Sequence, residues 1–73
     1  MMDAGEAALA VLREEAVPLH WTKVQDLALR RGYLDPFTQP NLRKAILAAL
    51  ARLAREGRIR KVGTGVYEAV AER

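Results

Sequence analysis

The run TQPNLRKAILAALARLAREG, residues 38–57, constrains the fold more than any other stretch, because only one of its two unlike faces can be buried. At about 100° per residue, Leu42, Ile46, Ala49, Leu50 and Leu53 fall on one stripe, with the spacing of a helix packed on a core. The opposite side gathers Asn41, Lys44, Ala48, Ala51, Arg52 and Arg55, with Arg43 on its flank. Its cations surround two small residues, so this face can approach another surface closely. The punctuation predicts a helix over 40–56. Thr38 or Gln39 is placed to cap it, Pro40 suits a first turn that needs no N–H, and Gly57 suits the left-handed residue that closes it.

Little chain is left to cover the stripe. With 73 residues the sequence makes a single domain, 1–73, and a domain of that size buries only about 60% of its unfolded surface. There is no cysteine, no serine and one histidine, which removes disulfide and thiolate-zinc frameworks and most nucleophile–base arrangements. We therefore expect a non-enzymatic protein with no metal and no cofactor. No apolar run approaches the roughly 20 residues that span a bilayer, and the start MMDAGEAALAVL is acidic where a secretory leader is basic. The expectation is a soluble cytoplasmic protein without membrane association. Through Phe37 there are 4 basic and 6 acidic residues, and after it 8 basic and 3 acidic. A net +3 thus divides into −2 and +5, a polarity that favours a polyanion on one side of the molecule.

Taken in order, Asp3 can cap a first helix while Glu6 reaches back to complete a capping box, and Ala4, Ala8, Val11 and Leu12 define its inward stripe as far as about Ala16. Pro18 biases Val17 away from the helical region, so a short strand follows, with Leu19 and Trp21 on one face. Thr22 and Gln25 make a second capping box, and Val24, Leu27 and Ala28 a second short helix that ends at Gly32 after Arg30 and Arg31. In 33–37, Asp35-Pro36 signals a turn, and Tyr33, Leu34 and Phe37 are placed to cover the junction with the third helix. After Gly57, RIRKV-GTG-VYEAV predicts a hairpin about a three-residue loop, with imperfect alternation over 59–62. The leucine-histidine-tryptophan strand is available as its third member. Helix, short strand, helix, helix and hairpin is the order of a winged helix, mainly α with a small sheet.

The residues EAALAVLREEAVPLHWTKVQDLALRRGYL, then a helix, then IRKVGTGVYEAV, resemble the HARE-type helix-turn-helix, a winged-helix family. PLHWT leading into a helix that ends in Arg31-Gly32 is the most telling part, VGTG the second, and the likeness runs over nearly the whole chain. Tryptophan follows the histidine where tyrosine is common, and the wing is short. The family occurs in restriction endonucleases, in the delta subunit of bacterial RNA polymerase and in chromatin-associated proteins. The resemblance therefore implies association with DNA or its machinery, as a transcription-related or chromosome-associated factor near the nucleoid.

In a winged helix the third helix lies in the major groove with its N-terminal half toward base edges. Asn41, Arg43 and Lys44 stand there. Asparagine pairs with adenine, arginine with guanine, lysine with guanine or phosphate, and Ala48 can touch a thymine methyl. Arg52 and Arg55 extend the basic face, while Arg58, Arg60 and Lys61 on the first hairpin strand are placed to meet phosphates. Gly63-Thr64-Gly65 offers no cation to a minor groove and introduces no helix, which sets phosphate-loop chemistry aside. About five phosphate contacts give a log–log salt slope near −4.5, so binding to double-stranded DNA is weak and mostly nonspecific unless the chain forms a homodimer. The bland alternative is a solvated face, with Arg52 and Arg55 complementing the helix dipole.

His20 lacks a second histidine or a carboxylate cluster and reads as structural. Trp21, Tyr33, Phe37 and Tyr67 read as packing residues at element junctions. Glu6, Glu14 and Glu15 make the first helix acidic. This motivates the alternative of a protein–protein interaction winged helix, an accessory of transcription or DNA-processing machinery, with RNA binding third.

Overall fold

A computed structural model describes residues 2–71. The elements are α1 (Ala4–Glu15), β1 (Leu19–His20), α2 (Trp21–Arg30), α3 (Leu42–Arg55), β2 (Ile59–Gly63) and β3 (Val66–Ala69). The helices enclose one core, and the strands form an antiparallel sheet of order β1-β3-β2 against it.

Asp3 starts α1 as its sequence predicts: Oδ1 accepts the Glu6 N–H at 2.8 Å, and Glu6 Oε1 accepts the Asp3 N–H at 3.0 Å. Ala7 and Leu9 are buried along with the expected stripe, because α1 packs against α2, α3 and β3 together. It ends at Ala16 in the left-handed region, φ 56°, before Pro18 makes the chain extended. At the end of α3, Gly57 has φ 77°. Its N–H reaches the Ala54 carbonyl at 3.1 Å and the Arg58 N–H reaches Leu53 at 3.0 Å, the paired bonds of a Schellman motif. The end of α2 repeats the pattern, Gly32 bonding to Leu29 and Tyr33 to Ala28.

Both later helices start elsewhere than the capping patterns indicate. Trp21 opens α2 and does not share a strand face with Leu19. The cap is His20, whose Nδ1 accepts the Thr22 N–H at 3.3 Å and lies 2.8 Å from Thr22 Oγ1. The box of Thr22 and Gln25 does not form, and Gln25 Oε1 is buried without a partner among the described residues. The cause lies in the hairpin: the Gly65 carbonyl accepts the Trp21 N–H at 2.8 Å, giving the helix a partner for its first orphan donor and so an earlier start.

In α3 the first residue is Leu42, and Pro40 stays outside. Asp35 is responsible. Its carboxylate accepts the Phe37 N–H at 2.9 Å, and its carbonyl accepts those of Thr38 at 3.2 Å and Gln39 at 3.1 Å. These turns leave neither Thr38 nor Gln39 as the cap. Asn41 takes that place at φ 55° and ψ 45°, with no side-chain cap bond, a conformation asparagine tolerates better than most residues.

Ile46, Ala49, Leu50 and Leu53 are buried and Leu42 packs against them, as the stripe predicts. Val24 and Ala28 of α2, Leu12 of α1, Ile59 and Tyr67 complete the centre. Phe37 does not cover the junction it was expected to cover; it is 95% exposed. Leu34 is buried in that position and Tyr33 packs beside it, so the slot is filled before the Asp35 turn begins.

In the sheet, Leu19 stands opposite Tyr67 and His20 opposite Val66. On the other edge Ile59 meets Ala69, Arg60 meets Glu68 and Lys61 meets Tyr67, and the register shifts between Lys61 and Gly63. That bulge at Val62 accounts for the imperfect alternation over 59–62. Gly63 is itself paired, so the connection is the two-residue Thr64-Gly65 turn and not a three-residue loop. Among the described residues no helix is long and apolar enough to cross a membrane.

Candidate nucleic-acid interface

The outward face of α3 carries Lys44, Ala48, Ala51 and Arg55, all exposed. Among the described residues neither Lys44 nor Arg55 forms an ion pair. Asn41 is exposed at the head of this face with its amide unused by the cap. Arg43 lies on one flank, its guanidinium 5.6 Å from the centre of the Trp21 ring. Arg52 lies on the other, about 180° away at 3.6 residues per turn. There it pairs with Glu56 at 3.9 Å and rests against the backbone of Gly5 in α1. Of the α3 cations the sequence groups together, Arg52 is therefore the one that has an ion-pair partner among the described residues.

The approach of Arg52 to Gly5 gives a test. A Cβ on Gly5 would overlap the Arg52 Nη2, the mobile tip of a long side chain, and Gly5 keeps an ordinary helical φ. Gly5→Ala should therefore displace the guanidinium and still stabilise α1, by about 0.5 to 1 kcal/mol, since alanine is the better helix former. Chemical denaturation measures it; a loss of stability would mean that Arg52 is held in place more firmly than an exposed ion pair allows.

The hairpin cations also separate. Alternate residues of a strand point to opposite faces, so Lys61, opposite Tyr67, shares the helix-side face with Ile59 and Tyr67, while Arg60 faces out with Glu68. Arg60 Nη2 lies 3.6 Å from Glu68 Oε1. Arg58 is exposed between α3 and β2, its N–H already closing the helix. One phosphate track cannot take Arg60 and Lys61 side by side.

Two features escape a reading of the sequence. Leu47, part-exposed, forms a shallow apolar depression with Arg43, Lys44 and Ala48; nothing in the stripe marks it, since it falls between the two faces. Trp21 is the second. Its contact with Arg43 joins residues 22 positions apart, brought together by the packing of α2 against α3.

The acidic end of α1 is engaged within the domain. Arg31 bonds Glu14 at 2.7 Å and Glu15 at 2.5 Å, and the Tyr33 hydroxyl donates to Glu14 at 2.5 Å. The Arg31 pKa is raised, chiefly by the hydrogen bond to Glu15. That of Tyr33 is raised too, first by its bond to Glu14 and then by burial, with Arg31 opposing. Among the described residues no group of three or more histidine, aspartate or glutamate side chains gathers to hold a metal.

Set beside known proteins, the chain matches no family model, no curated protein and no solved structure.

Proposed function

We propose that this domain is a non-enzymatic winged-helix module that binds double-stranded DNA, with α3 in the major groove and the β2–β3 hairpin as its wing. The observation that carries the reading is the bare outward face of α3, where Lys44 and Arg55, free of ion pairs among the described residues, flank Ala48 and Ala51. A helix narrowed by alanines fits a groove about 12 Å wide, and its cations then reach the groove's phosphate walls. Asn41 and Arg43 are assigned to base edges, Lys44 to guanine or phosphate, Ala48 to a thymine methyl, and Arg55, Arg58 and Lys61 to phosphates. Arg52 and Arg60, each paired with a glutamate, contribute to the general field only.

Five cations remain for contact: Arg43, Lys44, Arg55, Arg58 and Lys61. With Arg43 on a base edge and the other four on phosphate, log K against log salt should fall with a slope of about −3.6. Fluorescence anisotropy of a labelled duplex across a salt series gives that slope, and a value near zero would contradict the proposal. A protein-interaction role is the second reading, favoured by the exposed Phe37. It draws less from α1 than its charge suggests, because Glu14 and Glu15 share Arg31 as a partner and Glu6 closes the capping box.

A further inference from the structure

Arg43 carries a long side chain, exposed on α3, with no ion pair among the described residues. Left to itself, such a guanidinium samples many rotamers. Here it stands over the Trp21 ring, 5.6 Å from the centroid, within the range of a cation–π contact. The ring is fixed from several sides. Trp21 is the first residue of α2, its N–H is held by the Gly65 carbonyl at 2.8 Å, and its indole packs against the core. The His20 ring lies 5.7 Å away at 36°, itself held by Thr22.

We infer that Trp21 is the positioning residue for Arg43: it holds the guanidinium as a preset fork for guanine in the DNA contact proposed above, on which this inference rests. A guanidinium held over a ring by a cation–π contact has fewer rotamers open to it, and its planar fork of N–H donors is what bidentate pairing with guanine O6 and N7 requires. A lysine in the same place keeps the charge but has neither the plane nor the fork. The hairpin turn thereby sets the geometry of a side chain on α3 without touching DNA.

The test is a double-mutant cycle on the full chain with a fluorescein-labelled, guanine-containing duplex of mixed sequence at low salt. Trp21→Leu should weaken binding about threefold with no change in salt slope, since no charge is lost. Arg43→Lys should weaken it by at least as much, also at constant slope. Combining the two should cost no more than Arg43→Lys alone, a coupling that a merely structural tryptophan would not show. Trp21→Phe, which keeps a π face, should fall between wild type and Trp21→Leu, and carries the cycle if the leucine variant fails to fold by circular dichroism. If the wild type binds and the losses simply add, or Trp21 variants bind as wild type does, the positioning role is wrong and the DNA reading stands. If the wild type does not bind the duplex at low salt, the DNA reading fails and takes this inference with it.

Discussion

Gly65→Ala should lower the unfolding free energy by about 2 to 3 kcal/mol, from left-handed strain and overpacking together. Gly65 has φ 69°, and a Cβ there would stand 3.0 Å from His20 Nε2 and 3.1 Å from Trp21 Cδ1. Both neighbours are committed, His20 as the cap of α2 and Trp21 through its N–H to the Gly65 carbonyl. Neither can yield without loosening the start of that helix. A domain of this size holds only about 3 to 5 kcal/mol in total, so the variant should be close to unfolding at room temperature. The neighbouring Gly63 is the control, because its φ is ordinary and the nearest atom to an added Cβ is Val66 Cβ at 3.7 Å. Gly63→Ala should be near neutral. Urea titration followed by Trp21 emission separates the two, and equal losses would show that the turn is not docked on α2 as described.

The second large effect is on binding. Arg43→Ala combined with Lys44→Ala should weaken affinity for duplex DNA by about 2 to 4 kcal/mol, one base contact and one phosphate contact together, and reduce the salt slope by about 1. Stability should move by no more than about 0.5 kcal/mol, since both residues are exposed and neither enters the core. Anisotropy titration and thermal unfolding of the same sample check the two halves. Unchanged affinity would remove both residues from the contact surface, and a collapse in stability would assign them a structural role instead.

The parts of the fold legible in the sequence are those fixed by local chemistry. The Asp3 and Glu6 box, the glycine ends of α2 and α3, the buried stripe of α3 and the hairpin all rest on residues within a few positions of one another. What escaped depends on partners far along the chain. Trp21 looked like a strand residue because the carbonyl that begins its helix belongs to Gly65. Phe37 looked like a core residue because nothing local shows that Leu34 already fills the slot. Thr38 and Gln39 looked like caps, but Asp35 captures both amides first. The candidate interface divides in the same way. Its α3 cations were legible from the helical period, whereas the contact of Arg52 with Gly5 depends on the packing of α1 on α3 and the separation of Arg60 from Lys61 depends on strand register.

The central claim, that the bare face of α3 meets DNA, is tested most directly by backbone NMR shifts recorded as a short duplex is added, at low and then physiological salt. The account predicts shifts at Asn41, Arg43, Lys44, Ala48 and Lys61 and at the Trp21 indole, largest at low salt, with Arg60 and the α1 carboxylate end quiet. An α3 that stays silent at low salt would contradict it.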